Sequence, residues 1–204
     1  MDFKQHWETV YSTKQPNQVS WTQEVPEISL QFIKEGNLPK TAAIIDIGGG
    51  DSKLVDFLLA EGYEDITVLD ISEKALERAQ KRLGENAKKV KWIVSDITEF
   101  QPQQKYDFWH DRATFHFLTQ PEQISAYLSI IQSSVTGYLC IGTFSDTGPK
   151  KCSGLDIKQY EEEEIERLFD KGFEKIRCIT QDHTTPFDTV QNFIFCLFKR
   201  DNQQ

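Results

Sequence analysis

Three consecutive glycines follow a short apolar run in "AAIIDIGGGDSK", residues 42–53. Glycine lets a backbone adopt positive φ and approach a ligand closely. Asp46 lies near the end of the apolar run. Apolar residues at helical spacing begin just after the glycines, so the free N–H groups at the start of a helix would lie beside the glycine loop. This stretch alone is equally compatible with a tight strand-to-helix turn and with a ligand-binding loop.

Two further carboxylates lie where predicted strands end. Asp70 comes at the end of "ITVLD", 20 residues after Gly50, and Asp96 near the end of "VKWIVSDI". The first could accept hydrogen bonds from both ribose hydroxyls of a nucleoside cofactor, and the second from an exocyclic amine. Each acid alone has a structural explanation, Asp70 as a favourable charge before a helix and Asp96 as a solvated turn residue. Their occurrence together with the glycine loop favours a nucleoside cofactor.

Apolar strands and amphipathic helices alternate along the chain from about residue 42. The predicted strands lie at 42–47, 66–72 and 90–97, at the start of "YDFWHDRATFHFL", at 137–145, and in "EKIRCITQ" and "QNFIFCLFKR". The connection between the last two is too short for a helical crossover, which predicts an antiparallel pair. The alternation predicts a doubly wound α/β fold, in which ligands bind beyond the carboxyl ends of the strands.

The composition restricts the classes of function. A chain of 204 residues suits one compact domain, and its net charge of −9 with a pI of about 5.0 disfavours nucleic-acid and anionic-membrane partners. The sequence has no apolar signal core and no run of transmembrane length, so we expect a cytoplasmic protein in a reducing compartment. The four cysteines lack CxxC spacing, so no metal site is expected, and Cys140 and Cys196 are interpreted as small core residues.

The glycine loop resembles that of one cofactor-binding family. A dinucleotide loop would have glycine where Lys53 stands, and a phosphate loop would have Gly-Lys followed by Ser or Thr. From about residue 40 to 200 the sequence is instead similar to class I S-adenosylmethionine-dependent methyltransferases, with "IIDIGGGDS", "VLDIS" and "SDI" as its glycine, ribose and adenine motifs. The resemblance implies a mostly parallel seven-stranded sheet with helices on both faces and a C-terminal antiparallel strand pair.

The resemblance also implies which residues hold S-adenosylmethionine. Gly48 and Gly50 would approach the methionine part, whose amine Asp46 and the backbone of His110 would contact. The ribose would bind Asp70, and the adenine would contact the remaining three residues, Ile71, Asp96 and Ile97. Many members have a further glycine where Ser52 stands.

The segment "WHDRATFHFL", 109–118, would lie beside the transferred methyl group. Asp111 and His116 are candidate acid or base groups, and Arg112 is a candidate acceptor-binding residue. A structural Asp111–Arg112 ion pair is the alternative. Phe144 and Cys152, in the polar connection at 143–160, would also bind the acceptor, and Cys152 is expected to be the accessible cysteine. The acceptor, a small molecule or a protein side chain, is left open.

Residues 1–40 are predicted to form a helical segment that covers the cofactor, with the methyltransferase domain at 41–204. Trp21 would contact the cofactor beneath this lid. An extra helix packed on the sheet edge is the alternative. The resemblance implies methyl transfer to an unidentified small molecule or protein side chain. A catalytically inactive relative that binds a partner protein is the alternative function, and the sequence leaves the oligomeric state open.

Overall fold

The computed structural model describes residues 2–201 of the chain. The amino-terminal segment contains two helices, α1 (Phe3–Thr13) and α2 (Glu27–Glu35), separated by a single 3-10 turn at Pro16–Gln18. Asp2 starts α1 by accepting a hydrogen bond from the Gln5 backbone N–H at 3.0 Å, because a helix start leaves such donors without partners.

Strands and helices then alternate as the sequence predicts. In chain order the central elements are β1 (Ala43–Ile47), α3 (Leu54–Ala60), β2 (Asp65–Asp70), α4 (Glu73–Leu83), β3 (Val90–Val94), β4 (Tyr106–Arg112), α5 (Pro121–Ser134) and β5 (Val135–Phe144). The carboxy-terminal elements are β6 (Lys151–Cys152), β7 (Leu155–Asp156), α6 (Glu162–Phe169), β8 (Phe173–Thr184) and β9 (Val190–Arg200). The two-residue strands β6 and β7 form a small hairpin inside the connection that the sequence presents as irregular.

The main sheet has seven strands in the order β3-β2-β1-β4-β5-β9-β8. The first five are parallel, and β9 lies antiparallel between β5 and β8. The predicted sheet and its antiparallel C-terminal pair are therefore confirmed. The strand order reverses between β1 and β4, and such a reversal opens a crevice at the carboxyl ends of these strands.

Helices cover both faces of the sheet, because neighbouring strand residues project to opposite sides. Ile45, Trp109 and Leu139 are buried in the core on the side of α5 and α6. Ile44 and Phe108 are buried in the core on the side of α2, α3 and α4. Both faces of the central strands are thus apolar, as expected for a parallel sheet.

The cysteines depart from the prediction in two respects. Cys196 is buried, but it forms a disulfide with Cys178, its register partner on the neighbouring strand. It is therefore half of a cross-strand link and not a free core thiol. Cys152 is only 5% exposed, so the prediction that it is accessible is wrong. Its backbone belongs to the β6–β7 hairpin, which folds its side chain into the core under α2 and β9.

Within residues 2–201, no helix is long and apolar enough to cross a membrane. The same residues contain no cluster of histidine, cysteine and carboxylate side chains suited to a metal ion.

Candidate functional site

A cavity of about 300 Å³ opens at the carboxyl ends of the parallel strands. This volume lies at the lower end of the range of ligand sites. Its lower wall is formed by the ends of β1, β2, β3 and β4, and the amino-terminal segment covers it. The lining includes Trp7, Tyr11, Trp21, Glu24, Ser29, Asp46, Gly48, Gly49, Asp51, Lys53, Asp70, Ile71, Arg82, Asp96, Ile97, His110, Arg112, Thr114 and Phe117.

The glycine loop has no room for side chains. Gly48 has φ of +63°, and a Cβ atom there would lie 1.8 Å from the Thr114 hydroxyl oxygen. A Cβ atom on Gly49 would lie 2.6 Å from a Val68 methyl carbon and 2.7 Å from an Asp46 carboxylate oxygen. Glycine is therefore required here by backbone conformation and by close packing. Gly50 lies just behind the lining, beneath the Tyr11 hydroxyl.

Two of the predicted acids, Asp70 and Asp96, line the cavity near the ends of β2 and β3. Asp70 is 6% exposed, and its Oδ1 accepts the Ser72 backbone N–H at 2.8 Å. Burial raises the pKa of Asp70 to about 7, and the nearby charge of Asp51 adds to that rise. Asp96 accepts the backbone N–H and the hydroxyl of Thr98 through the same oxygen, Oδ1. Both acids keep acceptor capacity for a ligand.

Asp46 belongs to a buried hydrogen-bonded chain that the sequence does not reveal. The Asp46 carboxylate accepts from His110 Nδ1 at 2.7 Å, and His110 Nε2 lies 2.8 Å from the Ser29 hydroxyl. With the proton on Nδ1, the neutral imidazole accepts from Ser29. Ser29 lies on α2, 81 residues from His110 in sequence, and no local motif marks this contact.

Aromatic side chains form the roof of the cavity. The Trp7 ring lies 5.5 Å from Trp21 and 5.3 Å from Phe117, both edge to face, and Tyr11 lies 6.2 Å from Trp21. We call Trp7, Tyr11, Trp21 and Phe117 the aromatic roof. Trp7 and Phe117 were not predicted, although the aromatic content of residues 1–40 was a usable signal for Trp7.

Helix α1 is fastened to the start of α4. The Glu8 carboxylate accepts the backbone N–H groups of Glu73 at 2.7 Å and Lys74 at 3.3 Å. Arg78 donates to the Lys14 carbonyl at the other end of α1. A carboxylate at a helix start also interacts favourably with the helix dipole. Helix α1 is thus attached to Glu73 and Lys74, the first residues of α4, which follow Asp70 in the sequence.

Arg112 lies at the opposite side of the cavity, under the amino-terminal segment. Its Nη1 donates to the Trp21 carbonyl at 2.9 Å, and its guanidinium carbon lies 5.0 Å from the centre of the Phe193 ring. The Nε and Nη2 atoms are buried and have no hydrogen-bond partner among the described residues. Burial lowers the pKa of Arg112 to about 10, although the charge of Asp46 opposes this shift.

Asp111 faces away from the cavity, which contradicts its predicted role as an acid or base. One carboxylate oxygen accepts the backbone N–H groups of Thr114 and Phe115, and the other accepts the Tyr127 hydroxyl at 2.6 Å. Burial raises the pKa of Asp111 to about 6. The alternative of an Asp111–Arg112 ion pair is also wrong, because successive strand residues project to opposite faces.

His116 is also misplaced for acid–base work. It is fully buried outside the cavity lining, and its ring stacks on Phe144 at 4.5 Å. Burial and the charge of Arg112 lower the pKa of His116 to about 3. Phe144 is 1% exposed, so it supports His116 and does not reach the cavity. Cys152 lies outside the lining too, and burial raises the pKa of its thiol to about 12.

Known proteins are similar to this chain in sequence or in fold. Residues 44–137 match the family model described as "Methyltransferase domain". The malonyl-[acyl-carrier protein] O-methyltransferase of Anoxybacillus flavithermus is 35% identical over 105 residues, which make up 50% of this chain and 39% of that protein.

Two solved structures show the same fold over nearly the whole chain. One, described as "Conversion of a Disulfide Bond into a Thioacetal Group during Echinomycin Biosynthesis", is 18% identical, covers 98% of this chain and 94% of its own, and has a TM-score of 0.77. The other is the 1,6-didemethyltoxoflavin-N1-methyltransferase of Burkholderia thailandensis with its acceptor and S-adenosylhomocysteine bound. It is 16% identical, covers 98% of this chain and 87% of its own, and has a TM-score of 0.71.

Residues 44–137 therefore match a methyltransferase domain, and the chain has the fold of the two solved structures named above. It spans 39% of the length of the Anoxybacillus relative.

Proposed function

We propose that the protein transfers a methyl group from S-adenosylmethionine to a small-molecule acceptor. The observation that carries this proposal is the meeting of three separate motifs in one cavity. Gly48, Asp70 and Asp96 follow three different strands, yet all three line it. A tight turn alone would explain the glycines but not the two acids beside them.

The residues present fit the cofactor. Gly48 and Gly49 line the cavity with backbone atoms alone, so a ligand can lie against the loop. Asp70 would accept the ribose hydroxyls, and Asp96 the adenine amine, with Ile71 and Ile97 on the faces of the base. When bound, S-adenosylmethionine supplies an activated methyl group on a positively charged sulfur.

The methionine part would lie beside Asp46, which His110 holds in place at 2.7 Å. This carboxylate would orient the amine together with the His110 backbone. The aromatic roof would exclude water, and Trp21 would cover the cofactor. Exclusion of water and correct positioning are the main requirements of a direct displacement. A cavity closed by the amino-terminal segment favours a small acceptor over a protein side chain.

Ligand binding tests the proposal directly. S-adenosylhomocysteine should raise the thermal midpoint of the purified protein, because a ligand that binds only the folded state stabilises it. NADH should leave the midpoint unchanged. Stabilisation by NADH without a response to S-adenosylhomocysteine would refute the cofactor assignment. Turnover with methyl-labelled cofactor then separates an active enzyme from a protein that only binds.

A further inference from the structure

Arg112 differs from the other cations that line the cavity. Lys53 forms an ion pair with Glu24, and Arg82 forms one with Asp56 at 2.8 Å. Arg112 has no carboxylate partner in the described part of the chain, and its single hydrogen bond goes to the Trp21 carbonyl. The cavity therefore contains one guanidinium without an ion-pair partner among the described residues.

Burial of this guanidinium is unfavourable for the free energy of folding. Its Nε and Nη2 atoms are closed off from solvent and make no hydrogen bond within residues 2–201. Buried donors without partners are unfavourable, and a buried unpaired charge is more so. Asp46 does not supply the missing partner, since its ion-pair contact within the described residues is to His110 and not to Arg112. The planar fork of a guanidinium matches the two oxygens of a carboxylate.

Among the described residues that line the cavity, no free histidine base lies near Arg112. Both ring nitrogens of His110 are hydrogen-bonded, one to Asp46 and the other to Ser29. Asp111 and His116 lie outside the lining. An ammonium acceptor would have to lose a proton before reacting, and Arg112 would repel it. A carboxylate is already deprotonated at neutral pH.

We propose that the acceptor is a carboxylic acid, bound as the carboxylate by Arg112 and methylated on oxygen. This inference rests on the methyltransferase function proposed above. A carboxylate oxygen forms a bond to the methyl carbon as the carbon–sulfur bond breaks, and the electron pair of that bond stays on sulfur. The negative charge of the acceptor and the positive charge of the sulfonium cancel, and no proton moves.

The side chains around Arg112 indicate the chemical character of the acceptor beyond its carboxylate group. The guanidinium lies between the Trp21 carbonyl and the Phe193 ring, and the aromatic roof extends from there. The acceptor body is therefore apolar or aromatic.

The first experiment identifies the chemistry of the acceptor. The protein is incubated with methyl-labelled S-adenosylmethionine and benzoate, phenylacetate, hexanoate or monomethyl malonate, each beside its primary amide and the corresponding amine. Methyl esters release labelled methanol in base, whereas N-methyl products do not. Label that is confined to the acids and released by base is the expected result. Methylation of the amines or amides, or no acceptance of any acid, would overturn the proposal.

The second experiment assigns the role to Arg112. Arg112→Gln should lower carboxylate methylation by roughly 10-fold to 100-fold, the worth of charge-assisted hydrogen bonds. Its affinity for S-adenosylhomocysteine, measured by calorimetry, should stay unchanged. The variant's thermal midpoint should equal or exceed that of the wild type, because removal of a buried charge without an ion-pair partner offsets the lost hydrogen bond to Trp21. Arg82→Gln, which breaks an ion pair with Asp56, is the control and should lower the midpoint.

Each alternative has its own signature. A lower midpoint in Arg112→Gln, similar to that of the control, would show that Arg112 is structural and would overturn the proposal. Lost affinity for S-adenosylhomocysteine in this variant would assign Arg112 to the carboxylate of the cofactor, which also overturns it. Failure of the wild-type protein to bind S-adenosylhomocysteine would instead refute the proposed function itself.

Discussion

Replacing Asp70 by asparagine should stabilise the protein and weaken its cofactor site together. Burial raises the pKa of this carboxyl to about 7 from an ordinary value of 3.8. Because the folded-state pKa is raised, the ionised side chain opposes folding. The stability that Asp70 contributes is complete below pH 3.8 and is lost as the pH rises to about 7.

The size of the effect follows from the pKa. A difference of about 3 pKa units at 1.36 kcal/mol each gives about 4 kcal/mol as an upper limit above pH 7. The asparagine amide must still find partners beside the glycine loop, so we expect a gain of roughly half that, or 4–8 °C in the thermal midpoint. The cost of the amide does not change with pH, whereas the charge penalty of the wild type at pH 5 is roughly two fifths of that at pH 8, so the gain should nearly vanish at pH 5.

The assay is thermal unfolding of ligand-free protein at pH 8 and pH 5, with calorimetric titration of S-adenosylhomocysteine. Asparagine lacks the charge that strengthens bonds to ribose hydroxyls, so affinity should fall at least tenfold, or about 1.4 kcal/mol. Glu174→Gln is the control, since it removes an exposed carboxylate on β8 far from the cavity. An Asp70→Asn variant that is no more stable than the wild type at pH 8 would refute the burial argument. Unchanged affinity would refute the ribose role.

Three further predictions concern the loop, the amino-terminal helix and the disulfide. Gly48→Ala should lower S-adenosylhomocysteine affinity at least tenfold by calorimetry, because its Cβ would collide with Thr114 at φ +63°; wild-type affinity would contradict the loop geometry. Glu8→Gln should weaken the attachment of α1 and reduce that affinity by roughly 2-fold to 10-fold, since a helix cap contributes about 0.5–2 kcal/mol; the α1 role fails if affinity and resistance to proteolysis at residues 14–24 are both unchanged. Thiol titration of unfolded, unreduced protein should count two free cysteines, because Cys178 and Cys196 are paired; a count of four would exclude the disulfide.

Much of the fold was predictable because the alternation of apolar strands and amphipathic helices is a local feature of the sequence. Asp70 and Asp96 could be placed at one edge of the sheet from sequence, since the carboxyl ends of parallel strands meet there. The residues on the acceptor side were harder to predict, because successive side chains of β4 project to opposite faces of the sheet. His110 and Arg112 face the cavity, whereas Asp111 between them faces Tyr127 on the other side. A cluster of titratable residues in sequence is therefore not a cluster in space.

Contacts between distant segments had no sequence signal. Ser29 meets His110 across 81 residues, and Glu8 meets the start of α4 across 65. A serine or glutamate on a helix surface is ordinary, so nothing local marks either residue. The disulfide was missed for a similar reason. Cys178 and Cys196 become neighbours only when β8 and β9 pair in one register.

The position of β9 has a consequence for synthesis of the chain. This strand, Val190–Arg200, follows all the other strands described in the chain, yet it lies between β5 and β8 with both faces largely buried. Until it leaves the ribosome, β5 presents an open edge and β8 has no neighbour in the sheet. Open edges invite pairing with other chains. A nascent chain that stalls before residue 190 therefore exposes the unpaired edge of β5 to other chains on the same polysome.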